Sequence, residues 1–301
     1  MERVKFIVNP AGRGGRSLRV WEQLRRLWPG GVQLEDVLLT ERRGHAQELA
    51  AGLAGAGTVV CVGGDGSVGE VLSGLMSITE GRPRLLVVPA GTGNDIARHF
   101  GIRSMADVVS ALRFGRVEAR DLIRVDCRGE NGTVTVHGYI FASAGFTTSA
   151  YLKPWMKRFV PPRLGYLLAT LAAVARSRPI PMEIESRGFA GKSKCWIVLA
   201  GNAERAGGDS LCVAPGGRTD DGKLNMTVVQ AHPRSLTLWK LLMKAPWGRH
   251  VHERAVSYYP DKALRIASDP PCLVDVDGDV VGRTPATFSV CPAAVEFYVK
   301  G

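Results

Sequence analysis

The chain has 301 residues, 45% of them hydrophobic, enough for full cores and, at this length, for two domains. Thirty-nine basic against 28 acidic residues give a formal charge of +11, which favours acidic partners such as a nucleotide or an anionic membrane surface. Nucleic acid is set aside, because aromatics are only 7% and no nucleic-acid-binding module is present.

The six cysteines (61, 127, 195, 212, 272 and 291) show no Cys-x-x-Cys spacing. They are expected to be buried thiols in a reducing compartment. No signal-peptide pattern opens the chain. No apolar run reaches the roughly 18–20 residues that a spanning helix needs. The expectation is a cytoplasmic protein that touches membranes only from outside.

The first strand is predicted at Val4 to Val8, followed by Asn9-Pro10-Ala11-Gly12-Arg13-Gly14-Gly15-Arg16. The two arginines of that turn suit anionic oxygens. Ser17 to Trp28 reads as a helix with Leu18, Trp21, Leu24 and Leu27 on one face, Leu34 to Leu39 as a strand, and Gly44 to Leu53 as a second helix. Val59 to Val62 is an apolar run that ends in Gly63-Gly64-Asp65-Gly66-Ser67, and a helical pattern begins at once. Strand, glycine turn, helix start is the order in which backbone N–H groups and the positive end of a helix meet phosphate. Glycine lets the backbone come close to the ligand. Asp65 would repel phosphate unless a cation lies between them, so Mg²⁺ chemistry is expected nearby.

Leu85 to Val88 is a further buried-type strand. It leads into Pro89-Ala90-Gly91-Thr92-Gly93-Asn94-Asp95 and a helix, with Asn94 or Asp95 as its N-cap. Any one such turn is also a plain strand-to-helix connection. Three within one hundred residues put three loops at the carboxyl ends of parallel strands, where open α/β sheets bind ligands. Met105 to Phe114 is another helix, and residues 1–122 read as doubly wound α/β.

Beyond Asp121 the pattern turns to short β runs: Leu122–Cys127, Thr133–Phe141, Cys195–Gly201, Leu224–Val229, Ala263–Ser268, Cys272–Val276 and Val295–Lys300. Turn signals at Asn131-Gly132, Asp221-Gly222 and Asp277-Gly278 separate them. An antiparallel sandwich-type domain is expected over 123–286. Edge strands of such a sandwich allow pairing across a homodimer.

Two inserts interrupt it. Tyr151 to Arg178 carries Lys153, Lys157, Arg158, Arg163, Arg176 and Arg178 with no acid, beside Trp155, Phe159 and an apolar helical pattern over Leu164 to Arg176. Arg234 to Arg254 sets Leu236, Leu238, Trp239, Leu241, Leu242 and Met243 beside Lys240, Lys244, Arg249 and Arg254. Basic helices with Trp at the apolar border suit anionic lipid; ordinary domain packing with solvated basic faces is the alternative.

Asn9-Pro10 with Gly12, Gly63-Gly64-Asp65-Gly66-Ser67 and Pro89-Ala90-Gly91-Thr92-Gly93-Asn94-Asp95 resemble the three nucleotide-binding signatures of the diacylglycerol kinase catalytic-domain family. That family includes bacterial soluble lipid kinases and the sphingosine and ceramide kinases. The resemblance spans nearly the whole chain. It implies transfer of the γ-phosphoryl group of ATP to a lipid hydroxyl, with Mg²⁺, and a last strand (about 287–301) that returns to the first domain. Thr92 and the amides of 64–67 and 91–94 would hold phosphate, and Thr40 matches a further nucleotide contact.

Val276-Asp277-Gly278-Asp279 resembles the family's Val-Asp-Gly-Glu motif, whose last acid is the general base. Asp279 would take that role, one methylene shorter than Glu; as plain sequence, Asp-Gly-Asp is a hairpin turn. Asp121 matches an acid that organises Mg²⁺ together with Asp65. Asp220, Lys223 and Asn225 match a second, structural Mg²⁺ site; the bare reading there is a type I′ hairpin around Asp221-Gly222.

Gly69 stands where the family usually has Asn. Thr147, in Gly145-Phe146-Thr147, stands where it has an acid. These departures keep open a lapsed, nucleotide-gated lipid-binding protein. NAD kinase, which shares the Gly-Gly-Asp-Gly turn, is the enzyme alternative. Asn9-Pro10, the basic inserts and the lack of Asn before Glu70 count against it.

Overall fold

Continuous apolar runs become parallel strands covered on both faces, and four of them build the first part of the molecule. A computed structural model describes residues 3–146, 168–169, 172–231 and 237–301. Within it the chain divides into two compact units, 1–120 with 293–301, and 121–292.

In the first unit β1 (Val4–Val8), β2 (Val37–Leu39), β3 (Thr58–Gly63) and β4 (Arg84–Pro89) form a parallel sheet in the order β4-β3-β1-β2. Every residue of β3 is buried. Helices α1 (Arg16–Leu27), α2 (His45–Ala51), α3 (Asp65–Leu75), α4 (Asp95–His99) and α5 (Met105–Phe114) connect and follow the strands. The chain leaves by β5 (Arg116–Gly129) and returns at the end of a 21-residue strand, Asp279–Val299, where Phe297 pairs in parallel with Leu85. Phe297 also stacks on Phe100, with ring centroids 4.5 Å apart.

Two details differ from the sequence pattern. The buried row of α1 is Ser17, Trp21 and Leu24, while Leu18 and Leu27 are exposed. Trp21 and Trp28 both pack on Phe6, and this aromatic seat rotates the inward face away from those leucines. The expected strand Leu34–Leu39 starts late, because 34–36 form a 3₁₀ turn in which Asp36 is bonded to Lys5 Nζ at 2.6 Å.

The second unit is antiparallel. Beyond β5 it contains β6 (Gly132–Gly138), β7 (Phe141–Gly145), β8 (Ile180–Glu185), β9 (Ala190–Gly201), a short ladder of β10 (Arg205–Ala206) and β11 (Leu211–Cys212), β12 (Leu224–Gln230), β13 (Val256–Asp261), β14 (Ala263–Ser268), β15 (Leu273–Val276) and β16 (Asp279–Val299). Strands β13-β12-β9-β7-β15-β16 lie side by side, and β8 and β14 bridge β9 to β16 along a second path. Long β9 and β16 thus serve both layers, and the layers close over a core of Val198, Ala200, Met226, Val228, Ile184, Ile266, Val274 and Phe288. The first unit is thus an α/β domain and the second a β-sandwich-type domain.

The expected run Thr133–Phe141 is broken at Tyr139–Ile140, where a carboxylate takes the backbone N–H groups that a strand would pair. Asp221-Gly222 is not a hairpin centre; it lies in the loop that enters β12, whose partners are β9 and β13. Six free cysteines are present, five buried and Cys291 half-buried. Burial pushes the Cys61 thiol up to about 12. Most of the first basic insert, 147–167 and 170–171, lies outside the described residues, as do 232–236 and Thr147.

Candidate nucleotide and metal site

The three glycine turns of the first unit touch one another. A Cβ on Gly91 would lie 2.4 Å from Gly64 Cα, and one on Gly64 would lie 3.0 Å from Gly91 Cα. Those are backbone atoms that cannot step aside, so both positions need glycine. Asn9 Nδ2 donates to Ser67 Oγ at 2.9 Å, which ties the first turn to the second. The hydroxyl of Ser17 donates to Asn9 O at 2.5 Å and to Gly12 O at 3.2 Å and so closes the Asn9–Gly12 turn.

The third turn is closed from within. Gly91 N–H donates to Asn94 Oδ1 at 2.7 Å, Asn94 Nδ2 donates back to Gly91 O at 3.1 Å, and Asn94 adopts a left-handed φ of 55°. Asn94 holds the N-cap position of α4, but its side chain is used on the loop. The cap is supplied by Asp65, whose Oδ1 accepts the Ile96 N–H at 3.1 Å. Arg98 Nε donates to Gly93 O at 3.2 Å. Thr92 is left exposed at the tip. The expected cradle residues Asn9, Pro10, Gly12, Gly63, Gly64, Gly66, Ser67, Gly91, Thr92, Gly93 and Asn94 thus form one loop cluster at the carboxyl ends of β1, β3 and β4.

Thr40 follows β2, is buried, and donates its N–H to Val8 O at 2.9 Å, beside the Asn9 turn. It does not cap α2. That work falls to Glu70, whose carboxylate accepts the N–H groups of Gly44 at 2.8 Å and Ala46 at 3.3 Å. A charged acceptor near a helix start satisfies donors that the helix itself leaves open.

Asp65 lies beside a second acid, Asp95. Burial first, then the neighbouring Asp95 carboxylate, push its pKa up against the hydrogen bonds from Ile96, Asp95 and Asn94. The Cβ position of Gly93 lies 2.8 Å from Asp65 Oδ2 and 3.7 Å from Asp95 Oδ2, so only a bare glycine leaves space over these oxygens. Crowded carboxylate oxygens beside a phosphate cradle fit Mg²⁺, which binds through one or two carboxylates plus water and phosphate oxygens. Among the described residues no three acid, His or Cys side chains form a metal cage. The loop therefore offers part of a coordination shell rather than a whole one.

The second unit holds the remaining candidates. Asp121 is 2% exposed, and its Oδ2 accepts the Gly222 N–H at 2.7 Å. Its own N–H donates to Thr219 O at 2.7 Å, and Asn202 Nδ2 donates to Asp121 O at 2.9 Å. Asp121 is thus bonded to the loop of Asp220, Lys223 and Asn225. In that loop Asp220 Oδ1 accepts from Arg218 Nε at 3.1 Å, Lys223 N–H donates to Asp221 Oδ1 at 3.0 Å, and Asn225 sits in the β12 ladder opposite Gly201 and Pro260.

Asp279 is exposed and opens β16 directly after the Asp277-Gly278 turn. Both turn residues have positive φ, 50° and 91°, the type I′ geometry that closes a two-residue hairpin. Asp277 was missed as a site residue by reading the sequence. Its carboxylate accepts the N–H groups of Tyr139 at 2.7 Å, Ile140 at 2.7 Å and Phe141 at 2.9 Å, while Asp275 Oδ1 accepts the Gly278 N–H at 2.9 Å. No sequence signal pointed to it, because its partners lie 136 to 138 residues away; Gly138, where a Cβ would strike Val276 at 2.4 Å and crowd Asp277 Oδ2 at 3.2 Å, is its neighbour only in the fold.

A family profile for the diacylglycerol kinase catalytic domain matches residues 3–125, and one for the YegS C-terminal NAD kinase beta sandwich-like domain matches 141–299. A diacylglycerol kinase of Mycobacterium tuberculosis (strain ATCC 25618 / H37Rv) is 30% identical over 306 residues, covering 98% of this chain and 94% of its own. The chain belongs to the diacylglycerol kinase family. A second relative, a diacylglycerol kinase of Bacillus subtilis (strain 168), is 25% identical, with 96% of this chain and 93% of its own covered. The fold is also that of a crystal structure of a provisionally assigned diacylglycerol kinase from Bacillus anthracis str. Sterne, with a TM-score of 0.76, 23% identity and coverage of 99% and 95%. Family membership makes this chain a kinase of the lipid-kinase type. Among its described residues no helix is long and apolar enough to cross a membrane.

Proposed function

We propose that the chain transfers the γ-phosphoryl group of ATP to a lipid hydroxyl, diacylglycerol-like by default. The observation that carries this reading is the mutual contact of the three glycine turns, locked by Gly64 against Gly91 and by Asn9 on Ser67. Phosphoryl transfer is mostly positioning and charge stabilisation, and a rigid cluster of backbone amides supplies both. The loops around 9–12, 63–67 and 91–94, with Thr92 and Thr40, hold the nucleotide. By the family resemblance Asp65 and Asp121 would organise Mg²⁺, which would neutralise charge on the phosphates.

Asp279 accepts the proton of the acceptor hydroxyl. The new O–P bond forms as the bond from the γ-phosphorus to its leaving oxygen breaks, and ADP departs. A second Mg²⁺ at Asp220, Lys223 and Asn225 belongs to the same proposal. It would replace the exposed Arg218–Asp220 pair, a solvent-screened contact of little weight. Peripheral contact with an anionic membrane gives the enzyme its acceptor.

The test is transfer of labelled γ-phosphate from ATP·Mg²⁺ to a panel of lipid alcohols in mixed micelles, with Asp65→Asn as the blank. One labelled lipid is expected, reduced on the order of 10²–10³-fold in the blank. No labelled lipid from a folded, ATP-binding protein would overturn the reading in favour of a lapsed enzyme.

A further inference from the structure

Helix α6 (Thr237–Lys244) in the second unit buries Leu238 and Leu241 and turns other apolar side chains to water. Trp239 is 40% exposed, Met243 69% and Trp247 71%. The spacing of four residues, twice, sets Trp239 and Met243 on one face of the helix, and Trp247 lies in the 3₁₀ turn that follows. Ten large hydrophobic side chains are exposed among the described residues, and three of them fall in this one short stretch. Single exposed hydrophobics are ordinary, but a cluster marks a surface that meets something apolar.

The cluster is held in place rather than frayed. Gly248, at φ 67°, closes the turn after Trp247, and a Cβ there would lie 2.8 Å from Pro215 Cγ and 3.0 Å from Cys212 Sγ. Arg205 Nη2 donates to Pro246 O at 3.3 Å, and His250 is buried. Trp247 therefore projects from a packed anchor.

The charge along this stretch is mainly positive. Residues 237–254 contain Lys240, Lys244, Arg249 and Arg254 against a single acid, Glu253. Glu253 is already ion-paired to Lys244, which holds its carboxyl below the usual range. Lys240, Arg249 and Arg254 are exposed. Aromatic and sulfur-containing side chains that enter the acyl boundary, with cations at headgroup level, describe a surface for anionic lipid.

We propose that Trp239, Met243 and Trp247, together with Lys240 and Arg249, form the face by which this protein docks on an anionic bilayer. The proposal rests on the lipid-kinase reading and deepens it by naming the surface that meets the membrane. Trp247 and Met243 insert, Trp239 sits at the boundary, and the cations pair with lipid phosphate.

Co-sedimentation of the full chain with vesicles of phosphatidylcholine plus phosphatidylglycerol, and of phosphatidylcholine alone, tests it. Wild-type protein is expected on the anionic vesicles, and less so as salt rises. Met243→Glu with Trp247→Ala should weaken binding by about tenfold or more, and Lys240→Glu with Arg249→Glu by about fivefold for each charge. Transfer to a short-chain, monomerically dispersed acceptor should stay at the wild-type level in both variants, which also shows that they fold.

The docking face is overturned if wild-type protein ignores anionic vesicles, or if both variants bind as it does. It is overturned as well if the variants turn a dimer into a monomer in solution, since the face then belongs to a second copy. Vesicle binding without transfer to any acceptor would instead sink the kinase reading and leave the docking face in place.

Discussion

In the first unit the loops meet because side chains are missing: Gly64 and Gly91 approach so closely that either Cβ would enter the other's backbone. In the second unit the loops are tied by carboxylates. Asp277 gathers three backbone N–H groups, Asp121 holds Gly222, Asp275 holds Gly278 and Asp221 holds Lys223. Glycine leaves the amides of a loop open to a ligand, whereas an acid consumes the amides it reaches. The first cluster is thus shaped by close backbone approach, as the proposed phosphate site requires, and the carboxylate bonds of the second fix the chain. An acid within a motif is then no catalyst by position alone: Asp277 is spent on three backbone N–H groups, while Asp279, two residues on, stands exposed.

The sharpest test of that contrast is the pair itself. Asp279→Asn should lower the transfer rate on the order of 10²–10⁴-fold and leave the melting temperature unchanged; activity at the wild-type level would remove Asp279 from the chemistry. Asp277→Ala should act on stability instead, at about 3–5 kcal/mol, because it strands three backbone donors. Urea unfolding would show it, and Asp277→Asn should recover part of the loss.

Within the glycine cluster, Gly91→Ala should cost about 1–3 kcal/mol by overpacking against Gly64. It should weaken ATP binding too, since the two turns must part. An equilibrium titration with ATP checks this; unchanged affinity would mean that the contact is not needed.

The smallest effect lies away from both clusters. Asp107 accepts from Ser104 N and Oγ at 2.9 and 2.8 Å, from Arg103 N at 3.0 Å and from Lys300 Nζ at 2.5 Å, and these hold its pKa well below the usual carboxylate range, Lys300 foremost. Asp107→Asn should cost about 1–2 kcal/mol at neutral pH. A depressed folded pKa gives stability that is present above the unfolded pKa, about 3.9, and is lost as pH falls through the folded one. The gap between wild type and variant should therefore close below about pH 4.

Much of the first unit was legible in the chain. Apolar runs ending in Gly63-Gly64-Asp65-Gly66 and Gly91-Thr92-Gly93-Asn94 become strand, turn and helix start because period, glycine and capping act on neighbouring residues. The Asp277-Gly278 turn was legible for the same reason. Strands β8 and β13 were not, since Ile180–Glu185 and Val256–Asp261 carry prolines and mixed polarity and owe their form to β9, β12 and β14.

Sequence by itself determined the local geometry and, through three motifs in order, the family. Only the tertiary structure decided who holds whom. Asp65 caps a helix 31 residues on, Asp121 reaches a loop 101 residues away and Asp277 a turn 137 residues back. No period or propensity carries that information, because a buried N–H donates to whichever carboxylate the packing of the core brings to it.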